Sequence, residues 1–233
     1  MLISGIQPFT LLDYPNQTAC VVFTPGCNFR CGYCHNPEFV LPENIQKIKG
    51  GFIPEESFFN FLRQRIGLLD GVVVSGGEPT IAPDLLNFME KVKTLGFLVK
   101  LDTNGNRPEI IKQAIAKGVV DYVAMDVKTS LEAYPRLVGR LVSVKNIAES
   151  IELLKTGAVK YEFRSTLIKT IHSPVMLQSM AELLRGAERV YLQSFRPGIT
   201  LDPTFSEYNA FSAEEMEHVA ELFRTEVGEV VVR

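Results

Sequence analysis

The sequence lacks the features of a membrane-anchored, secreted or polyanion-binding protein. None of its 233 residues falls in an apolar run approaching the ~20 residues that a membrane-spanning helix requires. Residues 1–15, MLISGIQPFTLLDYP, lack the basic start and apolar run of a signal peptide. The 24 basic and 27 acidic residues leave a net charge of −3, which offers no basic surface to nucleic acid or to an anionic membrane. We therefore expect a cytoplasmic protein that binds neither.

Cysteine is also scarce, and three of the four cysteines lie close together. A chain of this length can fold without covalent cross-links, so the disulfide framework of a small secreted protein is not expected. Cys27, Cys31 and Cys34 form the pattern C-x3-C-x2-C, and no fourth cysteine follows at a comparable spacing. We expect these thiols to be reduced and to serve a chemical function.

Strand patterns and helix patterns alternate along the chain. Runs rich in β-branched residues, typical of buried strands, occupy residues 18–24, 71–75, 97–102, 121–126, 159–166 and 189–195. Segments with apolar residues at helical spacing occupy residues 54–65, 83–96, 107–118, 145–157, 174–186 and 212–224. This alternation predicts an α/β fold of parallel strands, as an open doubly wound sheet or as a complete or partial barrel. With no linker in view, residues 1–233 are expected to form a single domain, whose first 13 residues cover the bottom or edge.

Polar motifs follow the predicted strands at the ends where ligands bind in both architectures. CNFRCGYC follows the first strand, SGGEP the second, DTNG the third and DVK the fourth, and an arginine lies late in the fifth. Because the carboxyl ends of parallel strands meet at one edge, these motifs are expected to converge on one site.

The three cysteines favour an iron-sulfur cluster over zinc. A structural zinc site normally takes four protein ligands and would have to recruit Cys20 or His35. Cys20 lies within an apolar strand, and His35 is adjacent to Cys34, so neither is well placed. A cubane cluster held by three thiolates instead leaves one iron free to bind a small molecule.

The remaining motifs each permit a ligand-binding and a structural interpretation. Gly76 and Gly77 allow close approach to a ligand or a tight turn, and Glu78 can accept hydrogen bonds from an ammonium group. The LDTNG motif offers three oxygen-bearing side chains, but its residues also favour a turn. Arg164 is suited to a carboxylate or to a structural salt bridge.

Seven motifs in order along the chain resemble the activating proteins of anaerobic ribonucleoside-triphosphate reductase. Those activating proteins are members of the radical S-adenosylmethionine superfamily and relatives of the pyruvate formate-lyase activating enzyme. The motifs are LLDYP (11–15), TPGCNFRCGYCHNPE (24–38), SGGEPT (75–80), KLDTNG (100–105), DYVAMDVK (121–128), EFRSTL (162–167) and LQSFRP (192–197). Tyr33, the aromatic residue before the last cysteine, matches the superfamily pattern.

The resemblance implies a partial (βα)6 barrel, similar to a TIM barrel, with a short N-terminal extension. It implies one 4Fe-4S cluster held by Cys27, Cys31 and Cys34, with S-adenosylmethionine on the remaining iron and no catalytic residue beyond the cluster and this binding site. Residues implied to bind S-adenosylmethionine are Tyr33, Gly76, Gly77, Glu78, Asp102, Thr103, Asn104, Asp126, Lys128 and Arg164. Among these, SGGEP would receive the methionine amino group, and the two aspartates would bind a monovalent cation beside the carboxylate.

The resemblance further implies a glycyl radical enzyme as partner, namely anaerobic ribonucleoside-triphosphate reductase, and a flavodoxin- or ferredoxin-like electron donor. The 5′-deoxyadenosyl radical would remove a hydrogen from a glycine Cα of the partner. Two alternatives stay open. A related enzyme could act on another glycyl radical enzyme or on a small molecule such as a deazapurine precursor. A non-catalytic zinc or iron-sulfur electron-transfer module is the alternative from another class.

The last predicted strand is the least informative part of the sequence. The formate-lyase relatives have a histidine near this place and this chain does not, so the role of this strand stays open, with Gln193 and Arg196 as candidate site residues. Residues 196–212 form a long loop that contains proline and glycine, and we expect it to border the active-site opening and to contact the partner. His172 and His218 lie outside the motifs, and we expect each to be exposed or to cap a helix.

Overall fold

Eight β-strands form one sheet in the computed structural model of the protein, which describes residues 1–139 and 141–233. The strands are Gly5–Thr10 (β1), Ala19–Thr24 (β2), Gly71–Gly76 (β3), Leu98–Thr103 (β4), Tyr122–Asp126 (β5), Lys160–Leu167 (β6), Arg189–Ser194 (β7) and Glu229–Val232 (β8). They lie side by side in chain order. The first strand is antiparallel to the second, and each later strand is parallel to the one before it.

Helices connect the parallel strands. In the described ranges these are Pro42–Ile48 (α1), Glu55–Arg63 (α2), Leu85–Thr94 (α3), Pro108–Ala116 (α4), Tyr134–Val138 (α5), Val144–Lys155 (α6), Pro174–Leu183 (α7) and Ala213–Arg224 (α8). Every predicted strand and helix is present. The sequence did not predict the short helices α1 and α5, nor the edge strand β8.

The order of the strands and one contact across the sheet indicate a partial barrel. A doubly wound sheet reverses its strand order at a switch point, whereas this sheet runs continuously from β1 to β8. On the concave face, Arg164 of β6 reaches past β5 to Asp102 of β4, with 3.2 Å between Nη1 and Oδ2. The sheet therefore curves, and the predicted partial barrel is confirmed, with β8 as a further parallel strand.

Apolar side chains fill the space between the sheet and the helices. Phe58 of α2 and Phe88 of α3 are fully buried and stack with their ring centroids 5.5 Å apart. On the concave face, Tyr14 and Tyr122 pack at 5.9 Å near the amino ends of the strands. The carboxyl ends are thus left as the polar end of the barrel.

The N-terminal residues form the edge strand β1, which agrees with the extended segment expected there. None of the helices in the described residues is long and apolar enough to cross a membrane. The organisation of the chain as a single domain stays a prediction.

Candidate functional site

One cavity at the carboxyl ends of the strands brings together every residue that the sequence predicted for the site. Its volume is about 250 Å³. The predicted residues that line it are Cys27, Cys31, Tyr33, Cys34, Gly76, Gly77, Glu78, Asp102, Thr103, Asn104, Asp126, Lys128 and Arg164. Their convergence follows from the parallel strand order. The contacts of each residue indicate which ligand role it can have.

The two glycines of SGGEP allow the end of β3 to pack against the beginning of the cysteine loop. Gly76 has a φ of 118°, and a Cβ atom there would lie 2.3 Å from the backbone nitrogen of Thr24. A Cβ atom on Gly77 would lie 2.0 Å from the carbonyl oxygen of Gly26. The backbone N–H of Glu78 donates to that same oxygen at 2.7 Å. These glycines are therefore required by backbone packing, whatever ligand the cavity binds.

The loop of residues 196–212 holds the other end of the cysteine loop. The backbone N–H of Leu201 donates to the carbonyl of Cys34 at 3.0 Å, and that of Asp202 donates to the carbonyl of Gly32 at 2.9 Å. The long loop thus braces the segment that carries the cysteines, and its place at the active-site opening stays a prediction. Contact with a partner stays a prediction.

The three thiols face the cavity, and burial raises their pKa values. It raises the pKa of Cys27 to about 12, with a further contribution from Glu78, and the pKa of Cys31 to about 11, against an opposing effect of Lys128. The pKa of Cys34 is also raised by burial. A metal centre that binds these thiols must therefore displace their protons.

The arrangement of the thiols fits a cluster better than a single metal ion. Within residues 1–139 and 141–233, no three Cys, His, Asp or Glu side chains converge closely enough to bind one ion. Of the residues that a zinc site would recruit, Cys20 is buried in β2, outside the cavity. His35 lines the cavity, but its Nε2 already bonds to the Arg196 carbonyl at 2.9 Å. A cubane cluster needs sulfurs that lie apart, because each binds a different iron.

The Glu78 carboxylate ties together the loops that follow β3 and β4. Its Oε1 accepts hydrogen bonds from the backbone N–H and hydroxyl of Thr80 and from the Thr103 hydroxyl, while Oε2 accepts one from the Asn104 backbone. Burial raises the pKa of Glu78 although these donors oppose the shift. Oε1 is saturated, but Oε2 can accept another donor, such as an ammonium group.

The structure resolves the two interpretations of LDTNG residue by residue. Gly105 has a φ of 75°, and Asn104 Oδ1 accepts the backbone N–H of Asn106 at 3.0 Å, which is turn chemistry. Thr103 contributes to the Glu78 site through its hydroxyl. Only Asp102 of the three oxygen-bearing residues enters the charged network of the barrel.

Five charged side chains alternate in sign along the concave face. Lys100 Nζ lies 2.5 Å from Asp102, Arg164 lies 3.2 Å from Asp102 and 2.9 Å from Asp126, and Lys128 lies 3.2 Å from Asp126. Burial opposes ionisation of Asp126, but Arg164 and Lys128 outweigh it and lower the pKa of this carboxyl to about 2. Both aspartates implied to bind a monovalent cation are thus already paired with basic side chains.

Tyr33 lines the cavity and carries a buried hydroxyl. Among the described residues, its hydroxyl is the one buried side-chain polar atom without a hydrogen-bond partner. A buried hydroxyl without a partner is unfavourable, so a bound ligand that pairs with it gains binding energy. This observation supports the placement of a polar ligand in the cavity.

Sequence reasoning missed two residues that hold Lys128 in position. The Lys128 backbone N–H donates to the Tyr134 hydroxyl at 3.0 Å, and its carbonyl lies 3.0 Å from Nε2 of His172. His172 is 2% exposed, so the expectation of an exposed or capping histidine was wrong. Its Nδ1 accepts the backbone N–H of Ile168, and burial lowers its pKa, so the neutral ring bridges the ends of β5 and β6. No sequence motif marks either residue.

The comparisons with known proteins point to one superfamily. The family model described as the Radical SAM superfamily, where SAM is S-adenosylmethionine, matches residues 21–185. A putative glycyl-radical enzyme activating enzyme of Methanocaldococcus jannaschii is 32% identical, with 100% of this chain and 95% of that protein covered. The pyruvate formate-lyase-activating enzyme of Clostridium pasteurianum is 27% identical, with 85% and 82% covered.

A solved structure supports the fold. The crystal structure of Streptococcus suis SuiB bound to S-adenosylmethionine superposes with a TM-score of 0.64 at 14% identity, over 91% of this chain and 51% of that chain. At this level of identity the likeness concerns the architecture of the barrel.

Proposed function

Because the chain belongs to the radical S-adenosylmethionine superfamily, we propose that it is an activating enzyme that installs a glycyl radical on a partner enzyme. Members of this superfamily use a 4Fe-4S cluster and S-adenosylmethionine. The partner is anaerobic ribonucleoside-triphosphate reductase. The observation that carries the proposal is the single cavity that joins three thiols to the polar ends of four strands. The 32% identity to a putative activating enzyme over the whole chain supports the type of acceptor.

The cluster, when bound, supplies one electron that breaks the sulfonium–C5′ bond, giving methionine and a 5′-deoxyadenosyl radical that takes a hydrogen atom from a glycine Cα. Every other requirement falls on the protein. It must bind the cluster, orient S-adenosylmethionine, and hold the acceptor glycine within reach of C5′. Positioning of this kind supplies much of the rate advantage when the reacting atoms are held about 3 to 3.5 Å apart.

The residues of the cavity divide these tasks. Cys27, Cys31 and Cys34 hold three irons and leave the fourth for the amino and carboxylate groups of S-adenosylmethionine. Glu78 accepts the ammonium group at Oε2, and Lys128 contacts the carboxylate end with its partly buried positive charge. These outer contacts orient the ligand on the iron, as such contacts commonly do in metal sites.

Gly76, Gly77, Thr103 and Asn104 shape the wall that holds Glu78, and Tyr33 presents its free hydroxyl. Asp102, Asp126 and Arg164 form the charged floor, where a monovalent cation would have to compete with the guanidinium. A flavodoxin- or ferredoxin-like protein supplies the electron. We also propose a cytoplasmic location, where thiols stay reduced.

Electron paramagnetic resonance can test the proposal directly. The protein is reconstituted anaerobically with iron and sulfide, reduced, and incubated with S-adenosylmethionine and the anaerobic reductase encoded in the same genome. A glycyl-type doublet on the reductase is expected, and the Cys34→Ala variant should give none. Cleavage of S-adenosylmethionine without a protein radical would favour a small-molecule acceptor instead. Absence of iron and sulfide in the purified protein would refute both.

A further inference from the structure

A second cavity, lined by polar and basic residues, adjoins the cluster cavity at the carboxyl end of β7. Its volume is about 330 Å³. The lining residues are His35, Thr166, Gln193, Ser194, Arg196 and Arg233. Two are arginines, and none is aspartate or glutamate. Arginine side chains are suited to carboxylate and phosphate groups, so a cavity with two of them and no acidic side chain suits an anionic group.

The cavity is continuous with the site already described, because His35 and Thr166 line both. His35 extends from the cysteine loop, stacks on Phe195 at 5.5 Å and bonds to the Arg196 carbonyl. A ligand group bound here would therefore lie beside the reaction centre. It would also lie on the side of the barrel where the sheet ends.

The backbone next to both arginines is fixed by neighbouring structure. Arg233 donates its backbone N–H to Leu192 at 2.9 Å, and its guanidinium lies 3.7 Å over the Tyr191 ring. The Arg196 backbone is fixed through its carbonyl to His35. Both arginines therefore extend from a fixed backbone beside the cavity that they line.

Neither arginine has a carboxylate partner in the described residues, in contrast to arginines nearby. Arg185 pairs with Glu226 at 2.6 Å, and Arg189 pairs with Glu229 at 2.6 Å. Two arginines thus line one cavity without an acidic side chain as partner, and a carboxylate or phosphate bound there would supply one.

We propose that Arg196 and Arg233 form an anion-binding subsite that holds a carboxylate or phosphate of the molecule from which hydrogen is abstracted. This inference rests on the proposed function, since it deepens the choice of acceptor. The methionine carboxylate is not the anion, because it belongs to the wall that carries Lys128. Gln193 adds a neutral donor at the same strand end. The anion is an acidic side chain near the acceptor glycine, or a charged group on a small acceptor.

Calorimetric titration of the anaerobically reconstituted holoprotein with glutarate and with inorganic phosphate tests the subsite. The parent is expected to bind at least one of these probes. Arg196→Gln and Arg233→Gln should each weaken that binding by about tenfold or more, the loss typical of one charge-assisted hydrogen bond. Arg196→Lys, which keeps the charge without the planar fork, should retain part of the affinity. Arg185→Gln is the matched control and should bind like the parent.

Three results would overturn the subsite. They are failure of the parent to bind either probe, unchanged binding in both glutamine variants, and an equal loss of S-adenosylmethionine affinity, which would identify that ligand as the anion.

The source of the anion follows from kinetics with the reductase. If the glutamine variants show a KM for the reductase that rises by a larger factor than kcat falls, the anion belongs to the partner protein. If their KM is unchanged although probe binding is lost, the anion belongs to a small acceptor. Arginine-dependent probe binding without any glycyl radical would refute the proposed function and leave the subsite standing.

Discussion

Gly32, inside the cysteine loop, packs directly against the ring of Phe205 from the loop between β7 and α8. A Cβ atom on Gly32 would lie 2.3 Å from Cε2 of that ring. Phe205 also contacts Tyr33, with ring centroids 6.1 Å apart, and stacks on Tyr208 at 4.4 Å. The ring of Phe205 thus fills the space behind the cysteines. It leaves no room for a Cβ atom at Gly32, between Cys31 and Cys34.

We predict that Gly32→Ala lowers both protein stability and cluster content. The added methyl group must displace Phe205 or shift the loop, and such overpacking costs about 1–3 kcal/mol. Phe205→Ala alone is also destabilising, but the double variant should be more stable than the sum of the single effects, because the cavity accepts the methyl group. Urea unfolding and iron analysis measure this coupling. Gly198→Ala is the control, since nothing lies within 4 Å of a Cβ atom there.

Cluster ligation should depend on three cysteines and not on the fourth. Alanine at Cys27, Cys31 or Cys34 is expected to abolish the iron and sulfide content of the reconstituted protein. Cys20→Ala should leave it intact, because this side chain lies in the core of β2 and outside the cavity. Metal analysis and the visible absorption of the cluster report the outcome. Equal loss in the Cys20 variant would contradict ligation by three thiolates.

The sequence predicts the parts of this site that depend on strand order. Once parallel strands are inferred, the motifs after them must meet, and their residues do line one cavity. Contacts that depend on side chains far apart in the chain could not be predicted. The packing of Phe205 on Gly32 joins a long loop to the cysteine loop, and the bridging role of His172 arises only when β5 and β6 lie side by side.

Short elements at the edges were also beyond the sequence patterns. The strand β8 has four residues, Glu229–Val232, and pairs with β7 alone in the described sheet. The sequence alone does not assign an apolar run this short to a strand or to a helix. Its pairing with β7 identifies it as a strand. Arg233 follows β8 directly, and for that reason its place in the same cavity as Arg196 could not be predicted from the sequence.

Binding of S-adenosylmethionine should weaken when Lys128 or Glu78 is replaced. Lys128→Ala removes a partly buried charge, and a loss of about tenfold to a hundredfold in affinity is expected with normal iron content. Glu78→Ala should also weaken binding, but it removes the acceptor of four hydrogen bonds and should lower the unfolding free energy as well. Equilibrium binding and urea unfolding separate the two effects. Parent-like affinity in both variants would reject the assigned roles.

The role of a monovalent cation can be tested through Arg164. In the parent, this guanidinium already bridges Asp102 and Asp126, so replacing potassium with a large organic cation should change S-adenosylmethionine affinity little. Arg164→Gln leaves the carboxylates of Asp102 and Asp126 with less positive charge beside them. The affinity of this variant for S-adenosylmethionine should therefore depend on potassium. Titrations in both salts at equal ionic strength provide the measurement. Strong potassium dependence in the parent would instead support a cation that binds beside Arg164.

The loop of residues 196–212 should have two separable roles, bracing the cysteine loop and contacting the partner. Deletion of residues 199–208 removes the backbone donors to Gly32 and Cys34 together with Phe205. We therefore expect loss of iron, of S-adenosylmethionine cleavage and of glycyl-radical formation on the reductase. Ile199→Ser is more discriminating, because this side chain is 83% exposed and makes no contact that holds the cysteine loop. It should raise the KM for the reductase while iron content and partner-independent cleavage of S-adenosylmethionine stay at the parent level. An unchanged KM would limit the loop to the bracing role.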